Sequence, residues 1–128
     1  MLLKTLVWNV MRKFTHKPWG WFLLHEEAKT HKVKTIYIKP NQRFSLQYHK
    51  ERTEQWVVVQ GVGFLTQNNS EKIIRPGEYC FIPKGEIHRL RAGNEGVTFV
   101  EVQQGICKEE DIVRMEDDYG RIDNNQNS

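Results

Sequence analysis

Gln47-Tyr48-His49-Lys50-Glu51-Arg52-Thr53-Glu54 is the stretch on which the fold turns, and Pro83-Lys84-Gly85-Glu86-Ile87-His88 answers it further along the chain. On a strand, residues two apart project from one face, so Gln47 and His49 look the same way. A short polar turn then returns the chain, and Glu54 enters the same space from the next strand. His88 follows a Pro/Gly turn and adds another group. Two imidazoles, a carboxylate and an amide oxygen suit a divalent ion that keeps room for a substrate. The expectation is a metal site inside a β-barrel, with His49, Glu54 and His88 as ligands and Gln47 as the fourth. Glutamine is the weaker ligand, and its alternative task is to orient a bound water.

Reading outward, Phe44, Leu46 and Tyr48 alternate with Ser45, Gln47 and His49. A polar strand face is costly to bury unless it lines a wet or liganded cavity, which independently favours an internal site. Val33, Ile36 and Ile38 begin the first clear strand. Trp56 to Val59, Phe64 to Thr66, Lys72 to Ile74, Tyr79 to Ile82, His88 to Ala92 and Val97 to Val102 continue the series, with turns at Asn68-Asn69-Ser70 and Arg75-Pro76-Gly77. Many short strands, with helix signals only near the two ends, predict an all-β jelly-roll barrel with short terminal helices. His16, His25 and His31 are read as ordinary hydrogen-bonded histidines.

A length of 128 residues supports one domain with a single core. The chain is 38% hydrophobic and 27% charged, as in soluble globular proteins. The net charge of +3 comes from scattered basic residues, which argues against nucleic acid and leaves an anionic small molecule open. Cys80 and Cys107 read as free thiols of a reducing compartment, so a cytoplasmic location is expected. Leu2, Leu3, Leu6, Val7, Val10 and Met11 recur at helical spacing, in a run too short to span a bilayer and broken too early for a secretory signal. Residues 1–13 are read as an apolar segment covering the barrel or a dimer interface, residues 14–122 as the barrel domain, and residues 123–128 as a disordered tail. Exposed barrel edges and the apolar segment predict a homodimer.

The two blocks resemble the paired motifs of the cupin superfamily, whose fold is the double-stranded β-helix, with Gln47 standing where many cupins carry the first histidine. Asn41 takes the place of a glycine, which its tolerance of left-handed backbone permits, and Ala92 replaces an asparagine that is not a ligand. A narrower resemblance runs from Phe14 to Arg121. Lys17-Pro18-Trp19-Gly20, Ser45-Leu46-Gln47-Tyr48-His49, Arg52-Thr53-Glu54-Gln55-Trp56 and the closing Asp111-Ile112-Val113-Arg114 and Tyr119-Gly120-Arg121 together resemble the type II phosphomannose isomerase domain. That domain is usually the C-terminal cupin half of bifunctional mannose-1-phosphate guanylyltransferase/mannose-6-phosphate isomerases. Gln55 departs from the histidine usual there, and its side chain alternates away from Glu54.

The resemblance implies interconversion of mannose 6-phosphate and fructose 6-phosphate through a cis-enediol, aided by a divalent metal. Zinc is the first expectation, since no redox step is needed; manganese, cobalt, nickel or iron suit the same ligands. Candidates for the proton-moving base are Lys32, Lys34 and Glu86. For the phosphate, Arg121 leads, with Arg52 and Lys34 behind it. Trp19 and Trp56 are candidates to stack on the sugar, though Trp56 also reads as core. Two other function classes stay open: a non-catalytic metal- and sugar-binding cupin, and an iron-dependent dioxygenase.

Overall fold

The computed structural model describes residues 12–122. Residues 1–11 and 123–128, which carry the readings of an apolar N-terminal segment and a disordered tail, lie outside them. Among the described residues nine strands follow one another: β1 (Lys13–Lys17), β2 (Gly20–Glu27), β3 (His31–Ile38), β4 (Leu46–Tyr48), β5 (Arg52–Gln67), β6 (Ser70–Ile74), β7 (Tyr79–Ile82), β8 (His88–Gly105) and β9 (Val113–Glu116). Every pairing is antiparallel. The all-β reading therefore holds.

No helix occurs among the described residues, so the short helix expected near the C-terminal end is corrected to a strap of turns over residues 106–122 that includes β9. Its backbone is used otherwise, since Val113 and Arg114 pair with Tyr48 and Gln47 of β4. A segment whose N–H and C=O groups complete a sheet edge cannot also close helical turns.

The long strands β5 and β8 give the sheet its curl. The second half of β8 carries β3 on its far side, from His31↔Gln104 to Ile38↔Val97, whereas its first residue pairs with Gln47 of β4. Register slips between Val58 and Gln60 and between Gly61 and Gly63 bend β5 at its middle, as bulges do where a strand turns a corner. Gly61 stands at that corner with a φ of 78°. A side chain there would collide with the carbonyl oxygen of Gly96 on β8.

The strand series from the sequence missed β1, β2 and β9. In β2, Trp21-Phe22-Leu23-Leu24 has no apolar/polar alternation because both faces are apolar. Phe22 points into the core, while Trp21 lies between Phe14 of β1 and Tyr37 of β3, with ring centroids 5.1 and 5.6 Å away.

The interior divides into two halves along the strands. Ile38, Trp56, Val58, Leu65, Leu90 and Phe99 are at most 1% exposed and form the apolar half. Following the same inward faces the other way, β3 turns from Ile36 to Lys34 and Lys32, β8 from Phe99 to Glu101 and Gln103, and β5 from Trp56 to Glu54 and Arg52. The register aligns these changes, pairing Lys34 with Glu101, Lys32 with Gln103 and Glu54 with Gln103. All six polar side chains are buried, and burying so many charges is affordable only when they are paired or bind something.

Candidate functional site

His49, Glu54 and His88 meet at the floor of this polar half. They are 3%, 2% and 0% exposed, and each offers one ligand atom such that all lie within 4.8 Å of one another. Nε2 of His49 is 3.2 Å from Oε2 of Glu54, and Nε2 of His88 is 3.8 Å from Oε1. His49 reaches the site from the turn after β4, Glu54 from β5 and His88 from the start of β8.

The hydrogen bonds fix how the rings face. His49 donates Nδ1–H to the carbonyl oxygen of Asp111 at 2.7 Å, and His88 donates its Nδ1–H to that of Glu86 at 2.8 Å. Both Nε2 lone pairs are thereby turned toward Glu54, the arrangement that metal-binding histidines take when their other nitrogen is held. Nε2 of His88 is buried with no hydrogen-bond partner. Burial pushes His49 down to about 4, with Glu54 opposing and Arg52 adding, and burial likewise lowers His88. Burial pushes the carboxyl of Glu54 up, but His49, Arg52 and His88 outweigh it and hold it below the usual range. Two neutral imidazoles and a carboxylate are the protonation states a divalent ion requires. The donor set and the orphaned nitrogen fit such an ion.

Gln47 sits beside them, but its amide nitrogen faces Nε2 of His49 at 3.3 Å while its oxygen accepts the Ser45 hydroxyl at 2.6 Å. Coordination by Gln47 requires the amide to turn over, after which its NH2 donates to Ser45. Arg52, read from sequence as a phosphate candidate, lines the cavity with its guanidinium engaged by Glu54. Its guanidinium reaches Oε2 of Glu54 through Nε at 2.9 Å and Nη2 at 2.8 Å, and the carbonyl of Lys108 through Nη1 at 3.1 Å.

Above the floor lies a cavity of about 130 Å³. Lys17, Lys34, Arg52, Arg114 and Arg121 line it, against Glu54, Glu101 and Glu109. Lys34 binds Oε1 of Glu109 at 2.6 Å and lies 4.0 Å from the centre of the Phe22 ring. Arg121 grips Asp117 through Nε and Nη2, both at 2.8 Å. Nε of Arg114 is buried without a partner. Glu86 is placed elsewhere, its carboxylate accepting from Gln67 at 2.7 Å, while Lys32 lies between Glu27 at 3.2 Å and Oε1 of Glu109 at 3.5 Å. Trp19 and Trp56 both line the cavity. Gln55 bonds Gln104 on the outer side, away from the cavity. His25 bonds Thr35 and His31 bonds Glu26, while His16 packs edge-on against Phe14.

The residue that sequence reasoning missed is Glu101. It is 4% exposed and its carboxylate accepts Nε2–H of Gln103 at 2.7 Å and Nε1–H of Trp56 at 3.2 Å. The same Trp56 N–H also faces Oε1 of Glu54 at 3.2 Å. Burial, reinforced by Glu54 and opposed by Lys34 and Arg52, pushes Glu101 up to about 8. The available signal was parity, because Glu101 shares a strand face with Val97 and Phe99. A charged residue continuing an inward apolar face marks a cavity wall.

The family described as mannose-6-phosphate isomerase C-terminal matches residues 8–117. Among curated relatives, mannose-1-phosphate guanylyltransferase ManC of Salmonella typhimurium is 36% identical over 114 residues, covering 88% of this chain and 24% of ManC. Alginate biosynthesis protein AlgA of Pseudomonas aeruginosa is 36% identical over 108 residues, covering 83% of this chain and 22% of AlgA. The chain thus spans about a quarter of the length of these relatives. Among solved structures, oxalate decarboxylase from Bacillus subtilis superposes with a TM-score of 0.70 at 18% identity, over 81% of this chain and 30% of that one. A Klebsiella pneumoniae protein with a double-stranded β-helix domain gives 0.65 at 20% identity, over 73% and 82%. These structures bear out the cupin, double-stranded β-helix fold expected from the sequence. With the match spanning β1 to β9, the chain belongs to the mannose-6-phosphate isomerase C-terminal family.

Proposed function

We propose that the cavity is the active site of a metal-dependent aldose–ketose isomerase interconverting mannose 6-phosphate and fructose 6-phosphate. The observation that carries this reading is the convergence of two imidazole lone pairs and Glu54 beneath a cavity with Glu101 in its wall and cations around it. Family membership supports the choice of sugar.

His49, Glu54 and His88, with Gln47 turned to join them, would hold a divalent ion, zinc first, which would supply Lewis acidity to the charge that develops on the sugar oxygens. Glu101 moves the proton. Its carboxylate takes the C2 proton of the aldose; the electron pair of that C–H bond forms the C1–C2 double bond as the π pair of the C1 carbonyl moves onto O1, giving a cis-enediolate. The same carboxyl returns the proton to C1 as the C2 oxygen becomes the carbonyl and its hydroxyl proton passes to O1. A carboxyl raised toward neutral pH suits both directions of that exchange. Gln103 and Trp56 keep it aimed. Lys17, Lys34, Arg114 and Arg121 take the phosphate dianion, which competes with Glu109 and Asp117 for Lys34 and Arg121.

The test is a coupled assay for fructose 6-phosphate on protein stripped by chelation and reloaded with metal. Turnover that disappears and returns supports the reading. Metal-loaded protein that binds hexose 6-phosphates without turning them over sinks it in favour of a sugar-binding module. Arg121→Ala separates substrate from metal: kcat/KM is expected to fall roughly 10²-fold, the scale of one lost preorganised donor, with metal content unchanged. Wild-type kinetics in a fully metallated variant leave Arg121 as a surface charge.

The reading includes a homodimer. Its support is the outer face of β5 and β7, where Val57, Val59, Tyr79 and Phe81 stand 41% to 55% exposed and Val57 pairs with Tyr79. Apolar residues grouped on neighbouring strands are uncommon on a free surface. Sedimentation of Tyr79→Glu/Phe81→Glu as a monomer, against a dimeric parent, is the expected result; a monomeric parent removes this part.

A further inference from the structure

Asp111 takes no direct part in the metal cluster, yet three hydrogen bonds tie it to the turn between β4 and β5. Its Oδ1 accepts the backbone N–H of Lys50 and its Oδ2 that of Glu51, each at 2.9 Å. Its carbonyl oxygen accepts Nδ1–H of His49 at 2.7 Å. One residue of the strap thus holds three consecutive residues of the turn, from 62 positions away in the chain at its His49 contact. Successive backbone N–H groups make a natural anion seat, so the carboxylate docks the strap at a defined place. That docking sets where the neighbouring carbonyl lies, and the carbonyl sets the His49 ring.

We infer that Asp111 is the positioning residue of the metal centre, the latch through which the strap aims Nε2 of His49. The strap also supplies Glu109, Ile112, Arg114 and Arg121 to the cavity lining, so the same latch joins the substrate side of the cavity to its floor. The inference rests on the metal reading of His49, Glu54 and His88. Groups that hold a ligand histidine's other nitrogen typically govern metal affinity by 10- to 100-fold.

The experiment uses the full chain, as wild type, Asp111→Ala and Asp111→Glu. Zinc affinity is measured by calorimetric titration, and the His49 imidazole is followed by nitrogen–proton correlation spectra of the metal-free proteins. Asp111→Ala is expected to bind zinc 10- to 100-fold more weakly and to lose the protected Nδ1–H signal of His49, with its circular dichroism unchanged. Asp111→Glu, which keeps a carboxylate, is expected to recover part of both. A folded Asp111→Ala with wild-type zinc affinity and a wild-type His49 signal overturns the inference. If Asp111→Ala does not fold, Asp111→Asn, which keeps one acceptor, carries the same comparison, and wild-type zinc affinity in it overturns the inference equally. Zinc bound by none of the proteins, wild type included, overturns the metal reading and this inference with it; zinc bound equally by all overturns the inference alone.

Discussion

His88→Ala is expected to abolish tight metal binding and to lower isomerase turnover by at least about 10³-fold while leaving the fold intact. Lewis-acid stabilisation is worth several kcal/mol, and each 1.36 kcal/mol is tenfold in rate. The fold should tolerate the change better than most core truncations. Nε2 of His88 is a buried acceptor without a partner, a state that itself costs about 1–3 kcal/mol, so its removal offsets part of the lost packing. Thermal unfolding gives a check that does not depend on turnover. A ligand that binds only the folded chain, present at 100 times its Kd, adds about 2.7 kcal/mol, roughly 10 °C for a domain of this size. Zinc should raise the wild-type midpoint by that order and leave His88→Ala and His49→Ala unmoved. Equal metal content and equal zinc-induced shifts in wild type and variants would remove the metal assignment.

Glu101→Gln should retain metal and lose roughly 10²- to 10⁴-fold in kcat, the range a positioned general base supplies. The substitution keeps the shape of the side chain and its acceptor for Gln103 Nε2–H, so KM should change far less than kcat. The pH profile tests the role separately. Burial and the facing Glu54 push the Glu101 carboxyl up to about 8 in the metal-free chain. Because the ionised form accepts the proton from C2, kcat should rise with pH through that titration and level above it. A bound cation neutralises Glu54 and removes the second cause of the shift, so the rise in the loaded enzyme should lie below 8. The acidic limb should vanish from whatever activity remains in Glu101→Gln. An unchanged kcat and an unchanged limb would return the proton transfer to another group.

Much of the fold is legible because its punctuation is local. Asn68 takes a positive φ in the turn expected at Asn68-Asn69-Ser70, and Gly77 does so after Pro76. Alternation of apolar and polar residues marks β4, whereas in β3 Lys32 and Lys34 continue the inward face of Ile36 and Ile38. It fails for β2, whose two faces are both apolar, and for β9, a four-residue edge strand whose pairing partner β4 lies far back in the chain. The C-terminal helix was misread for a related reason: the strap's residues are held by distant partners, with Arg89 binding Glu116, Arg43 binding Asp118 and Tyr119 donating to Gln42.

The sequence by itself determined the all-β class and the candidate ligands Gln47, His49, Glu54 and His88, because strand parity and turn residues are properties of neighbours. Only the tertiary structure decided what those residues meet. Register between β3, β5 and β8 puts Lys34, Glu101, Gln103 and Glu54 in one buried layer, and no local pattern carries register across strands this far apart in sequence. The same long-range packing turned Arg52 inward onto Glu54, placed Glu86 on Gln67 outside the cavity, and brought the Asp111 carbonyl to His49. Residue types and their spacing specify which groups can do the chemistry. The relative placement of distant strands specifies which of them share a space small enough to do it.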